Sequence, residues 1–434
     1  MKNILIVAYY FPPMGLSGVQ RTLKFAKYLP QFGWKPTVLT VAPTGYYAHD
    51  LSLLEEAQAA GISIVRTKSL DLNRLLSRKG TIEIPHEKIR ALLSIISQIF
   101  FIPDNKIGWR KRAIRKAEEL IQQQEFSVIF ATAPPYTDFL IGRYLREKYH
   151  IPMVIDYRDS WYDNPAHFYS TPLHMLAHRQ LEKRVLKSAD RIIVINRRIK
   201  ELLLKRYEFL RYNEIEIIPQ GFDPADFNLQ PKAVLPKSKK MRFTYSGTFN
   251  GGRTPKYFLE ALAKVFREHP KLRGSIEACF MGAFREENKK YIQQLNLQDD
   301  VVILGYLDHT ECTKYLLASD VLWMMLSKSK GSDMISTGKL YEYIGAGKPI
   351  FGCVPDGVAR QTILEAGGVV VDPADIDGIA DAILDFYEKY KKKKLTVPSE
   401  EVVKRHDRVF LTGEVARLME FLVDYSHQIE KVSE

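Results

Sequence analysis

The sequence predicts an α/β protein made of two doubly wound, Rossmann-like units that face a cleft. Three observations lead there. Short Ile- and Val-rich runs alternate with amphipathic stretches of helix length, the pattern of parallel strands covered by helices on both faces. The alternation halts at Pro224–Lys240, a stretch with three prolines, several lysines and no periodicity, and then restarts. The 434 residues are too many for one ordinary core and suit two domains of roughly 200 residues each.

In the first half the apolar runs Ile4–Ala8, Pro36–Val41, Val128–Ala131, Met153–Asp156 and Arg191–Ile195 read as buried strands. Helical spacing appears over Gly18–Gln31, Gly108–Gln124, Tyr136–Tyr149 and Pro172–Lys187. In the second half, Arg242–Tyr245, Ala278–Met281, Val301–Leu304, Val321–Met325, Ile350–Val354 and Val369–Val371 read as strands. Helices are expected at Pro255–His269, Glu286–Leu295, His309–Ala318 and Thr337–Gly345. The expected domains are 1–224 and 225–409, with a last helix over 410–430 that packs back on the first domain. Doubly wound sheets bind ligands at the carboxyl ends of their strands, so two in tandem suit a ligand with two parts.

Hydrophobic residues make up 46% and charged residues 26% of the chain, a globular balance that excludes disordered and fibrous classes. Lys and Arg number 63 against 51 Asp and Glu, a net charge of +12. A basic surface serves nucleic acid, anionic lipid or phosphorylated substrates. No stacking or groove-reading motif accompanies the charge, so nucleic acid is not an expected partner. Basic residues concentrate at Lys106–Lys116 and Lys389–Lys394, where the plain reading is a solvated helix face or end. The apolar stretch Ala91–Ile102 just before the first run is too short to span a membrane and reads as a core or surface-resting helix. The basic run Lys106–Lys116, with Trp109 inside it, and this apolar stretch together make a candidate peripheral contact with an anionic membrane.

Cys279, Cys312 and Cys353 lie far apart without metal-ligand spacing, and the two in apolar runs, Cys279 and Cys353, read as buried. That usage suits a reducing compartment, and Met1–Asn3 lead into the first strand without a signal-peptide pattern. The expectation is a cytoplasmic protein that can rest peripherally on the inner face of a membrane, with no metal and no cofactor.

Four motifs offer chemistry. Tyr9–Arg21 (YYFPPMGLSGVQR) follows the first strand, and Gly15 and Gly18 let backbone N–H groups approach an anion at a helix start. The spacing is not G-x-G-x-x-G, which disfavours a dinucleotide-dependent dehydrogenase. Asp156-Tyr157-Arg158-Asp159 ends a strand and places charge at a cleft edge, as an internal ion pair or as a substrate contact. Tyr245–Arg253 (YSGTFNGGR) puts Gly247 and two further glycines before Arg253 and a helix start. Asp333–Ile350 (DMISTGKLYEYIGAGKPI) has Ser336 or Thr337 as a helix cap, Lys339 in the first turn and Glu342 at i+3 on the same face. A cation among free N–H groups suits a diphosphate, and a carboxylate beside it suits ribose hydroxyls.

With KSADRIIVIN (187–196), IIPQGFD (217–223), SGT (246–248) and STGKLYEYIGAGKPI (336–350), the chain resembles the retaining glycosyltransferases of family 4, whose two-Rossmann architecture is called GT-B. The resemblance runs through most of the chain and joins a glycosyltransferase 4-like N-terminal domain to a group 1 C-terminal domain. It implies transfer of a hexose from a nucleotide-sugar donor to a saccharide or lipid-linked acceptor, as in bacterial surface polysaccharide or glycoconjugate assembly. In the family, a basic residue six positions after the second-domain glycine touches the donor diphosphate; here it is Arg253. The family's other basic residue directly follows that glycine, where this chain has Thr248. Lys339 is then the second cation. The ribose-binding glutamate of the family's E-x7-E pair matches Glu342. Its earlier partner falls at Met334, with Asp333 one residue away, a departure from the pattern. The donor set is thus Gly15, Gly18, Gly247, Arg253, Ser336, Thr337, Lys339 and Glu342, and Asp156, Arg158 and Asp159 are the catalytic candidates. A nucleotide-sugar epimerase of the same architecture and a non-catalytic binding protein are the alternatives.

Overall fold

The structure, a computed structural model, describes the chain apart from residues 16, 45–48, 71–94, 165–166, 229–235, 250–252 and 434, and apart from the side chains of 17 and 425–433. The chain forms two compact units, Met1–Pro219 with Leu411–Glu434, and Gln220–Phe410.

The first unit holds a seven-stranded sheet in the order β3-β2-β1-β4-β5-β6-β7. Its strands are β1 Lys2–Val7, β2 Trp34–Val41, β3 Ser63–Thr67, β4 Val128–Ala133, β5 Met153–Tyr157, β6 Arg191–Val194 and β7 Ile215–Ile217. All neighbours run parallel; β1 aligns Ile4 with Pro36 on one side and with Val128 on the other. Every residue of β4 is buried, as a central strand covered on both faces requires. The helices are α1 Ser17–Tyr28, α2 Leu51–Ala59, α3 Arg110–Gln123, α4 Thr137–Tyr149, α5 Pro172–Ser188 and α6 Arg197–Arg206. Asp50, Thr171 and Asn196 cap α2, α5 and α6 through their side chains, satisfying orphan N–H groups.

The second unit holds a six-stranded parallel sheet in the order β10-β9-β8-β11-β12-β13. Its strands are β8 Met241–Ser246, β9 Ile276–Met281, β10 Val301–Gly305, β11 Val321–Met325, β12 Ile350–Cys353 and β13 Val369–Val371. The helices are α7 Pro224–Phe227, α8 Lys256–Glu268, α9 Glu286–Gln294, α10 His309–Ala318, α11 Gly338–Gly345, α12 Val358–Glu365, α13 Ile376–Lys391 and α14 Glu400–Arg405. A last helix, α15, spans Arg408–Ser433. Its Leu411, Val415, Met419, Leu422 and Val423 enter the core of the first unit, and Lys2 Nζ pairs with Glu420 at 2.7 Å.

The strand order fixes where ligands belong. In the first sheet the winding reverses between β1 and β4, and in the second between β8 and β11. The loops leaving these strand pairs part and leave a crevice at the sheet's carboxyl end. They are the loops after Val7 and Ala133 in one unit, and after Ser246 and Met325 in the other.

Strands β3 and β7 lie at the edges and were not expected from the apolar pattern. β3 has no buried residue and β7 buries only Ile215. Cys279 and Cys353 are buried in the second unit. No helix among the described residues is long and apolar enough to cross a membrane.

Candidate functional site

At the reversal of the second sheet, β8 ends in Tyr245-Ser246 and the chain turns at Gly247, whose φ is +126°. Only glycine adopts that region without strain. A Cβ there would also lie 2.5 Å from Lys339 Nζ, so the absent side chain makes room for the ammonium. A second glycine, Gly282 at the end of β9 (φ +115°), backs this turn: its Cβ would meet the Gly247 carbonyl oxygen at 2.6 Å.

Lys339 lies in the first turn of α11. Its Nζ donates to the Tyr245 hydroxyl at 3.1 Å and lies 4.2 Å from that ring's centroid. The side chain keeps some solvent access, yet surrounding protein desolvates it enough to lower its pKa to about 7, with repulsion from Arg253 adding to the effect and the Glu342 carboxylate opposing it. Arg253 thus acts through its charge on Lys339, and it also pulls down on the Tyr245 phenol, which burial holds up at about 12. Glu342, partly buried, likewise acts on Cys312, whose thiol is raised to about 11 chiefly by burial. Cys312 Sγ lies 3.3 Å from Ser246 Oγ. The structure thus gathers Gly247, Arg253, Lys339 and Glu342 at one sheet reversal. Asn250–Gly252, the remainder of that glycine loop, lie outside the described residues.

The expected cap of α11 is corrected. Thr337 occupies the N-cap position but its side chain makes no cap bond, and Ser336 Oγ pairs with the Tyr341 hydroxyl at 2.7 Å. Both residues stay partly exposed. Asp333 is exposed on a short turn, Ser332–Met334. The backbone of Gly357 (φ +142°) packs directly against it, so that a Cβ on Gly357 would meet Asp333 Cα at 2.4 Å.

The first unit treats its charges differently. Asp156 is fully buried and takes two hydrogen bonds from Arg21 Nε, at 3.1 and 3.0 Å, and one from Arg21 Nη2 at 2.8 Å. Thr132 adds a fourth at 2.9 Å. Arg21 also donates from Nη2 to the carbonyl of Ile218 and from Nη1 to that of Pro219. Arg158 gives its guanidinium to the carbonyls of Ala133, Pro134 and Gly18 at 3.2, 2.8 and 2.6 Å. These two candidates are therefore structural. Asp156 and Arg158 hold the loop after β5 against the start of α1, where Gly18 serves through its carbonyl and Gly15 is buried. Asp159 is the exposed member of the trio, and the protein around it raises its carboxyl pKa despite nearby Arg158.

The sequence reading missed Arg21 as the partner of Asp156, because 135 residues separate them. It also missed Gly282, Tyr245 and Cys312. A glycine closing an apolar strand, as in CFMG, is the signal that marks Gly282. Buried Asp138 escaped it too: the carboxyl accepts from the Tyr9 N–H at 2.8 Å and is pushed far up by burial. Two residues of the basic run are corrected: Lys106, read as part of a solvated face, is buried with its Nζ 5.2 Å from the Tyr9 ring centroid, and Trp109, expected at a membrane contact, is fully buried with its Nε1 donating to Thr67 Oγ1 at 2.7 Å. A groove of about 580 Å³ lined by Gln122–Ser127 and Tyr149–Pro152 sits at the amino ends of β4 and β5, opposite the ligand-binding ends. Topology and charge, not cavity size, locate the site. Among the described residues no three His, Cys, Asp or Glu side chains are placed to hold a metal ion.

Residues 17–226 match the Glycosyltransferase Family 4 domain and residues 226–399 the Glycosyl transferases group 1 domain. The chain belongs to the family 4 glycosyltransferases. It is similar to a GDP-mannose-dependent monoacylated alpha-(1-6)-phosphatidylinositol monomannoside mannosyltransferase of Corynebacterium glutamicum, 23% identical over 44% of this chain and 52% of that protein. It is also similar to an alpha-monoglucosyldiacylglycerol synthase of Streptococcus pneumoniae, 22% identical over 61% of this chain and 58% of that one. The chain thus spans little more than half the length of these curated relatives. Among solved structures, Anabaena HepE in complex with UDP-glucose superposes with a TM-score of 0.62 at 14% identity, covering 97% of this chain and all of that one. The family 4 member described here therefore has the two-Rossmann fold.

Proposed function

We propose that the chain transfers a hexose from a nucleotide-sugar donor to an acceptor hydroxyl with retention at the anomeric carbon. The observation behind this reading is the meeting of Lys339 and Arg253 beside Gly247 at the reversal of the second sheet, with Glu342 one turn along α11. In the reaction the bond from the anomeric carbon to the diphosphate oxygen breaks, and a bond from that carbon to the acceptor oxygen forms. The acceptor's proton leaves with the nucleoside diphosphate or to a carboxylate nearby. The positive charge of Lys339 and Arg253 and the N–H groups at the start of α11 stabilise the departing diphosphate, which suits preorganised donors aimed at developing charge. Glu342 accepts from the ribose hydroxyls, and Ser336 and Thr337 stand just before the start of the same helix. Asp159 is the carboxylate of the first unit left to act on the acceptor.

The reading extends to a lipid-linked or saccharide acceptor and to peripheral contact with an anionic membrane. The names of the two curated relatives carry a phosphatidylinositol monomannoside and a monoglucosyldiacylglycerol, both glycolipids. The apolar stretch before the basic run falls partly outside the described residues, but over 95–100 it is helical and exposes Ile95, Ile96, Ile99 and Phe100. The Phe168 N–H donates to Gln98 Oε1 at 2.7 Å, which joins this stretch to the exposed Phe168, Leu173, Met175 and Leu176 at the start of α5. Arg110 and Lys111 open α3 on the same carboxyl rim of the sheet. Exposed apolar side chains together with exposed cations suit an anionic interface.

A thermal-shift screen against UDP, GDP, ADP and their sugar conjugates tests the donor site. A ligand at a hundred times its dissociation constant adds about 2.7 kcal/mol of stability. A shift with one nucleotide, lost in Glu342→Ala, supports the reading, and no shift with any of them overturns it. Product analysis then separates transfer from epimerisation: a changed sugar nucleotide formed without acceptor would mark an epimerase. Sedimentation with phosphatidylglycerol vesicles at low and high salt tests the membrane contact, which is lost if the protein stays in the supernatant at both.

A further inference from the structure

A nucleoside diphosphate brings two or more negative charges, and the loop that turns at Gly247 offers one cation, Arg253, between Ser246 and Pro255. The second comes from another element, α11, and something must hold its flexible four-carbon stem over the turn. That something is Tyr245. The ring is fully buried, stacked on Phe249 at 4.3 Å and packed against Trp323 at 5.1 Å. Its hydroxyl accepts from Lys339 Nζ at 3.1 Å and donates to the Thr248 carbonyl at 3.4 Å. The electron-rich ring lies under the ammonium at 4.2 Å, an arrangement that favours a cation taken out of water. Lys339 has three N–H donors; one goes to Tyr245, and two remain to be aimed across Gly247.

We propose that Tyr245 is a positioning residue for the donor, holding the Lys339 ammonium over Gly247 so that binding of a nucleoside diphosphate there draws a proton onto the site. The proposal rests on the donor-site reading given above. Four groups face Lys339: Tyr245 from β8, Arg253 from the loop after it, Glu342 from its own helix and Cys312 from α10. Burial and Arg253 bring the free ammonium to about 7. A bound diphosphate favours the charged form and raises that value. Affinity is therefore full below pH 7 and falls as pH rises above it, by at most tenfold per unit until the bound-state value is reached.

The test is calorimetric titration of the full chain with UDP, GDP, ADP and inorganic pyrophosphate from pH 6 to 9, in paired buffers that report proton uptake. The wild type should take up close to one proton at pH 8, and Lys339→Met should take up none. Tyr245→Phe keeps the ring and removes the hydroxyl that favours the charged lysine. It should bind about three- to tenfold more weakly, and its affinity should begin to fall at a lower pH than that of the wild type, with melting temperature confirming an intact fold. A loss of affinity without movement of the pH midpoint would mean only a structural role and would overturn the proposal. So would unchanged binding in Tyr245→Phe, or undiminished proton uptake in Lys339→Met. Failure of the wild type to bind any of the four probes would instead overturn the donor-site reading itself, and this inference with it.

Discussion

The two units share one architecture and use the charges at their sheet reversals in opposite ways. In the first, Asp156 and Arg21 neutralise each other in full burial, and Arg158 is consumed by three carbonyls. In the second, Lys339 and Arg253 are like charges held near each other, with a lysine pKa brought to about 7. Close cations cost free energy unless something negative joins them. The difference teaches that position on a doubly wound sheet is not enough to name a binding residue. What matters is whether the protein itself has already used the group's bonding capacity.

The largest expected effect separates the two sets by stability. Asp156→Ala leaves Arg21 charged and buried without its carboxylate and should cost about 3–5 kcal/mol, read by urea denaturation. Lys339→Met removes a lysine that folding already disfavours, so it should leave stability unchanged or raise it while reducing nucleotide-dependent stabilisation. Equal destabilisation by both variants would break the comparison.

A pH series sharpens the same point. The folded value of Lys339, about 7, lies below its ordinary 10.5. The cost of keeping it charged in the fold is thus fully present below pH 7 and fades as pH rises toward 10.5. The stability advantage of Lys339→Met over wild type should be greatest near pH 6 and shrink steadily through pH 9. An advantage independent of pH would show that the lysine is not desolvated.

Much of this was legible in the sequence. Strands buried on both faces, such as Val128–Ala133 and Val321–Met325, announce themselves as continuous apolar runs because both faces lose water. Edge strands such as Ser63–Thr67 do not, since they keep partial solvent contact. The glycine turn at Gly247 and the cation at Lys339 were visible as residue types near strand ends. Their juxtaposition was not, because residues 92 apart are brought together only by strand order. For the same reason Asp156 and Arg158 looked functional: a strand-end motif shows charge, and only tertiary structure shows that Arg21 and three carbonyls have taken it. The cap role expected for Ser336 failed locally, because Tyr341, five residues on, engages its hydroxyl.

A middle-sized effect concerns the turn itself. Gly247→Ala forces a Cβ into a φ of +126° and against the Lys339 ammonium, and should cost about 1–3 kcal/mol while weakening nucleotide binding more than tenfold. Gly33→Ala is the control in the first unit: its φ is +81° but nothing lies within 4 Å of a Cβ there. It should carry the backbone cost and leave binding intact. If both variants bound alike, the open space over Gly247 would have no part in holding the donor.

The smallest effect asks whether the hydroxyl at the start of α11 is structural or available. Asp308 caps α10 by accepting from the Glu311 N–H at 2.8 Å, so Asp308→Ala should cost about 1 kcal/mol. Thr337 holds the same position on α11 without a side-chain cap bond, so Thr337→Ala should change stability by less than about 0.5 kcal/mol. Two residues from Lys339, that hydroxyl can instead meet a diphosphate oxygen, and its loss should weaken nucleotide binding about fivefold, as expected for one hydrogen bond of about 1 kcal/mol. Denaturation and titration of the two variants side by side decide the matter. If Thr337→Ala destabilised as much as Asp308→Ala and left binding alone, the hydroxyl would belong to the fold, as Asp156 and Arg158 do in the other unit.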